Sequence, residues 1–140
     1  MIKMSDSIYN KILEDSTDSY PDECCGALIG NAAGGKTVLE VCALKNVNRE
    51  RSRDRYEMDP AELLRAEKEA RKCGMDIIGI YHSHPDHPAR PSQFDRDRGW
   101  PEYSYVIVSV KKGIDTEVKS WTFGDFSGPF KEEEIIIVKE

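Results

Sequence analysis

The sequence predicts a mixed α/β domain: a β-sheet with helices packed against it. Three observations carry this. Apolar runs of strand type stand at 25–30, 77–81 and 105–110. Two stretches, 5–18 and 59–74, have the apolar spacing or the capping residues of helices. Glycines and prolines punctuate the intervals between them.

The elements follow in order. Ile8, Ile12 and Leu13 share one face of the first helix, and Pro21 forces its end at Tyr20. Cys25 to Gly30 reads as a short buried strand, Ala33-Gly34-Gly35 as a hairpin-type turn, and 37–47 as the return strand. Residues 48–55 are a mixed charge run; a solvated loop is the default reading, and a docking surface for a partner is the alternative. Tyr56-Glu57-Met58 reads as a short strand. The second helix has Asp59 as N-cap, Pro60 in its first turn, and Glu62 where a capping-box acid falls. Leu63, Leu64 and Ala70 supply its apolar surface, and Gly74 closes it.

Ile77 to Tyr81 reads as a central strand and runs directly into His82-Ser83-His84-Pro85. A loop with Pro85, Pro88 and Pro91 follows. Ser92 opens a short helix ending near Gly99-Trp100-Pro101, with Trp100 expected to pack in the core and a cover over a groove beside the site as the alternative. Tyr105 to Val110 is another buried strand, and 117–123 and 134–138 complete the sheet. The expected order is α-β-β-β-α-β-α-β-β-β, which gives one mixed sheet with helices packed on it.

The bulk numbers set limits. A chain of 140 residues has the size of one domain, and 39% hydrophobic with 33% charged residues reads as soluble and globular. A net charge of -6 argues against nucleic-acid binding. No apolar run approaches the roughly 18 residues of a membrane span. Met1 to Asp6 holds no apolar stretch like a signal peptide, so a cytoplasmic protein with no membrane association is expected. Cys24, Cys25, Cys42 and Cys73 form no CxxC pair, so they are expected as free, mostly buried thiols.

All three histidines lie between residues 82 and 87. His82 and His84 are two apart at a strand end, so alternation puts both imidazoles on one face, within reach of one ion. Zinc takes nitrogen, sulfur and carboxylate donors in a tetrahedron. Asp95, about one turn into the helix opened by Ser92, is the candidate third ligand, because the proline-rich loop can fold that helix start back over the histidines. Three protein ligands leave the fourth position open for water, the catalytic pattern. Ser92 and Asp95 also fit a capping box, a role compatible with metal binding. His87 reads as an exposed loop residue, with a contact at the site's rim as the alternative.

The run His82-Ser83-His84-Pro85, six further residues, then Ser92-Gln93-Phe94-Asp95 resembles the signature of the JAMM (MPN+) metalloproteases. The likeness covers roughly residues 5–125. It includes an acidic residue before a small-residue and apolar run, here Glu23 ahead of Cys24 to Gly30. The resemblance implies a cytidine-deaminase-like α/β fold and one zinc ion on His82, His84 and Asp95. It also implies Glu23 as general acid/base and Ser92 as a hydrogen-bond donor to the oxyanion. Without it, nothing separates Glu23 from Asp22, Glu40 or Glu57.

Three rival readings were weighed. His82 to His87 also satisfies the H-x-H-x-D-H run of metallo-β-lactamases, which needs further histidines downstream; none follows His87. A zinc nucleoside deaminase needs an H-x-E pair and a P-C-x-x-C segment, both absent. A non-catalytic scaffold of the same fold is the alternative from another class, although this sequence keeps every residue that the mechanism needs. The resemblance implies hydrolysis of an amide or isopeptide bond after the C-terminal glycine of a ubiquitin-like or sulfur-carrier protein. The partner's extended tail is expected to lie along a sheet edge near the site.

Overall fold

The computed structural model describes residues 1–123 and 128–140. In chain order the elements are β1 (Ile2–Ser5), α1 (Asp6–Ser19), β2 (Cys25–Asn31), β3 (Lys36–Leu44), α2 (Pro60–Lys72), β4 (Asp76–Pro85), α3 (Gln93–Arg98), β5 (Ser104–Lys111), β6 (Asp115–Thr122), β7 (Lys131–Glu133) and β8 (Ile135–Val138). The strands form one mixed sheet in the order β7-β6-β5-β4-β2-β3-β1-β8. β7 and β8 stand on opposite edges, yet only Glu134 separates them in sequence. The sheet therefore curls until its edges approach one another.

Each helix starts where its residues dictate. Ser5 caps α1 by accepting the Ile8 N–H at 3.2 Å. Asp59 caps α2 through the Ala61 N–H at 2.9 Å. Glu62 does not complete the expected box; its carboxylate accepts the Lys45 N–H at 3.2 Å, beside the end of β3. Gly74, at φ 73°, takes the left-handed turn that ends α2.

The core has two layers, one on each face of the sheet. Ile8 and Ile12 of α1 pack with Ile2, Met4, Leu28, Ile78 and Tyr81. Ala66 and Ala70 of α2 pack with Cys25, Ala27, Ile29 and Ile80 on the other face. A bulge decides which face receives the histidines. β2 pairs Leu28 with Gly79 and Ile29 with Ile77, so Ile78 is the extra residue. Ile77 and Ile80 thus share the α2 layer while Ile78 and Tyr81 turn to the α1 layer. Alternation from Ile80 then carries His82 and His84 to the α2 side.

Several expectations are corrected. The N-terminal strand β1 was not anticipated; four residues gain strand character only by lying between β3 and β8. Residues 56–58 form no strand, only an isolated bridge from Met58 to Asn46. The last predicted strand, 134–138, is β8, and β7 ahead of it was not anticipated. Leu64 is exposed at 52%, and the alanines make the helix contact instead. Trp100 is 60% exposed rather than in the core, and its backbone N–H donates to the Tyr105 hydroxyl at 2.7 Å. All four thiols are free, but only Cys24 and Cys25 are buried. Both sides of β4 are occupied, by β2 and β5, so no sheet edge lies beside the histidine strand.

Candidate metal centre

β4 ends with His82, wholly buried, and His84, 6% exposed. Their Nε2 atoms lie 3.2 Å apart. Asp95 of α3 spans the two, with Oδ1 3.3 Å from His82 Nε2 and Oδ2 3.1 Å from His84 Nε2. The start of α3 is held by a reciprocal pair: Ser92 Oγ accepts the Asp95 N–H at 3.1 Å, and the Ser92 N–H donates to Asp95 Oδ2 at 2.9 Å. The cap therefore orients the carboxylate toward the histidines.

Glu23 arrives by register. Cys25 of β2 is directly opposite His82 in the antiparallel pair. Two residues earlier on the same face, Glu23 comes level with His84. One donor atom each from Glu23, His82 and His84 lies within 4.8 Å of the others. Glu23 is 4% exposed, and its Oε1 has no hydrogen-bond partner among the described residues.

The protons identify what this arrangement suits. His84 Nδ1–H donates to the Pro88 carbonyl at 2.8 Å. A carbonyl only accepts, so neutral His84 presents a bare lone pair at Nε2. That lone pair faces a carboxylate oxygen and the Nε2 of a second imidazole, a donor set suited to a cation. A proton is a poor candidate at His82, where burial lowers the pKa against the opposing pull of Asp95. Burial alone would raise the Asp95 carboxyl, but the His82 and His84 imidazoles outweigh it and hold it far below the usual carboxylate range. Donors about 2.0–2.1 Å from one tetrahedral ion lie roughly 3.3 Å apart, which matches the separations here. The donor set fits a divalent ion of the zinc type.

Beside these donors is a cavity of about 430 Å³, lined by Glu23, His84, Ser92, Arg51, Arg90 and Phe94 among others. Burial, followed by the charges of Asp95 and Asp54, pushes the Glu23 carboxyl up to about 9. The three rival acids, Asp22, Glu40 and Glu57, are exposed, and Asp22 accepts the Ser52 hydroxyl at 2.7 Å. Asp86 is taken up elsewhere, accepting from the Tyr20 hydroxyl at 2.6 Å and the Lys112 N–H at 2.8 Å. His87 is exposed on the cavity rim. The longer H-x-H-x-D-H run therefore does not assemble around a metal.

A family model for prokaryotic homologs of the JAB domain matches residues 5–124. The chain belongs to this family. It is 38% identical over 122 residues to a protein named desampylase from Haloferax volcanii, covering 86% of this chain and 85% of the relative. It is 28% identical over 134 residues to one named CysO-cysteine peptidase from Mycobacterium tuberculosis, covering 95% and 88%. A solution structure of a Desulfitobacterium hafniense protein superposes with a TM-score of 0.88 at 35% identity, covering 100% of this chain and 94% of the other.

This JAB domain also uses residues that sequence reasoning missed. Tyr56 stacks on His82, ring centroids 4.5 Å apart. The Pro88 carbonyl sets the His84 tautomer, and its loop is strapped down on both sides. Ser109 Oγ donates to the His87 carbonyl at 2.6 Å, and Trp121 Nε1 donates to the Ala89 carbonyl at 2.9 Å. Asn46 Nδ2 donates to the carbonyls of Glu23 and Arg55, each at 3.0 Å, tying the Glu23 segment to the charged loop. No sequence signal marked these; apart from the local His84–Pro88 bond, they depend on contacts between segments that are separate in sequence.

Proposed function

We propose that this chain is a zinc-dependent peptidase that cleaves the amide or isopeptide bond after the C-terminal glycine of a ubiquitin-like or sulfur-carrier protein. The observation that carries the reading is the convergence of His82 Nε2, His84 Nε2 and the Asp95 carboxylate beside a buried, unpartnered Glu23 oxygen at a cavity. The names of the relatives, desampylase and CysO-cysteine peptidase, support the substrate class.

His82, His84 and Asp95 would hold the metal. Bound zinc supplies Lewis-acid chemistry, polarising a carbonyl and making water nucleophilic near neutral pH. Glu23 takes the proton from the attacking water and passes it to the leaving amine. Its buried position keeps that proton from bulk solvent. Ser92 Oγ already accepts the Asp95 N–H, so its own O–H remains available to donate to the developing oxyanion. Among the described residues no helix is long and apolar enough to cross a membrane.

The test is incubation of zinc-loaded protein with ubiquitin-like proteins extended beyond a terminal Gly-Gly, either by one amino acid or through a lysine isopeptide, followed by intact mass. Cleavage after Gly-Gly is the expected result, and the preferred extension names the leaving group. Absence of cleavage from every extended protein, with zinc bound, would favour the non-catalytic scaffold.

A further inference from the structure

The chain carries nine arginines, and seven of them fall in two short segments, 49–55 and 90–98, neither of which contains a lysine. These segments hold seven arginines against four acids in a chain whose net charge is -6. Both border the candidate metal centre. Arg51, Arg55 and Arg90 line the cavity that Glu23 and His84 share. Arg49, Arg51 and Arg53 line the adjoining hollow, about 640 Å³, on the other side of the exposed His87. Arg55 and Arg98, one from each segment, lie over the Phe94 ring at 4.7 and 5.0 Å.

The arginines are not consumed by the fold. Of the seven in these segments, only Arg51, with Asp54, and Arg98, with Glu57, make ion pairs among the described residues. The loop that presents four of them is nevertheless firmly built. Asn46 Oδ1 accepts the N–H groups of Asn48 and Glu57 at 3.0 and 3.1 Å. Asn48 Oδ1 accepts the Arg51 N–H at 3.0 Å, and the Ser52 carbonyl accepts the Glu23 N–H at 2.6 Å. Hydrogen-bonded backbone presenting several guanidinium groups outside any ion pair is a preformed cationic surface, and the planar fork suits carboxylates.

We propose that these two segments form a basic collar that docks the acidic folded body of the ubiquitin-like substrate while its tail enters the site. This rests on the substrate class proposed above. The collar extends across two hollows, which is wider than one carboxylate on a leaving group requires. The acidic remainder of the chain disfavours a nucleic acid. Charge complementarity of this kind acts chiefly on encounter and is weakened by salt.

The test measures binding of the zinc-loaded protein to an acidic ubiquitin-like domain ending at Gly-Gly, so that no bond can be cut. The affinity should fall about tenfold or more between about 50 and about 500 mM salt. It should fall by a similar factor at low salt in the Arg53→Glu/Arg90→Glu variant. A control with the same charge change elsewhere, Lys3→Glu/Lys68→Glu, should lose much less. Cleavage by the wild-type enzyme of a short tail peptide should change little over the same salt range. Salt-insensitive binding overturns the collar. So do equal losses in both variants, equal salt sensitivity of the peptide, or equally tight binding of a single-stranded oligonucleotide. Cleavage with salt-insensitive binding would leave the enzyme reading standing without the collar. Salt-sensitive binding without cleavage of any extended protein would do the reverse.

Discussion

The hydroxyl of Ser83 accepts the backbone N–H of Cys24 at 2.8 Å. Ser83 stands between the two histidines and is wholly buried. Alternation turns it away from the metal centre, and there it holds the residue next to Glu23. The Ser83 N–H also donates to the Cys24 carbonyl at 3.2 Å. One strand thus supplies the two imidazoles of the candidate site and, from its opposite face, the clamp that keeps Glu23 level with them.

Replacing Ser83 by alanine leaves the Cys24 N–H buried without its partner, a cost of about 1–3 kcal/mol. The expected outcome is a lower melting temperature, unchanged zinc stoichiometry and a reduced kcat. Calorimetry, metal analysis and steady-state kinetics together check this. Full activity at lowered stability would show that Cys24 needs no such anchor to position Glu23.

Glu23 links the site to pH. In the unfolded chain it ionises near its ordinary value of 4.5, and in the folded, metal-free protein near 9. Folding therefore favours the protonated form. The stability this contributes is complete below pH 4.5 and is lost as pH rises toward 9. Above pH 7 His82, whose folded pKa is lowered, is neutral in both states and does not mask the effect. Metal-free protein should lose stability between pH 7 and 9, by at most about 1.4 kcal/mol per unit. Glu23→Gln should flatten that slope. Parallel slopes in denaturant titrations of the two proteins would assign the loss to another group.

The candidate ligands His82, His84 and Asp95 were legible because their signal is local. A spacing of two on a strand forces one face, and Ser92 with Asp95 is a cap visible in four letters. Glu23 was not legible from residue type alone, because what distinguishes it from Asp22 is the pairing of Cys25 with His82 across the sheet. The same holds for β1, a strand only because it lies between β3 and β8. Trp100 misled because a large aromatic ring signals burial on average, whereas here it lies exposed after α3. The Ile78 bulge, which sets the face of both histidines, leaves no mark in an unbroken apolar run.

Metal removal should reveal the crowded lone pairs. Without an ion, His84 Nε2, His82 Nε2 and Asp95 must share protons or separate. Chelation should lower the melting temperature and abolish cleavage, and zinc should restore both. A ligand at a thousandfold excess over its Kd adds about 4 kcal/mol. His82→Ala and Asp95→Ala should lose zinc, activity and this zinc-dependent shift together. Retention of stoichiometric zinc by Asp95→Ala would remove Asp95 from the ligand set and turn attention to Glu23, which lies with both histidines in one potential donor group.

Ser92 has two separable roles. As N-cap of α3 its oxygen accepts the Asp95 N–H, and loss of such a cap costs about 1 kcal/mol. As oxyanion donor its proton would be worth about 10- to 1,000-fold in kcat. Alanine removes both functions, aspartate keeps the cap acceptor but offers no proton, and threonine keeps both. Stability should therefore follow the order serine and threonine near equal, aspartate close, alanine lowest. Activity should divide differently, with threonine active and both alanine and aspartate impaired while still holding zinc. If the aspartate variant turned over as fast as wild type, the hydroxyl would be a helix cap alone, and the oxyanion would need a donor from another residue.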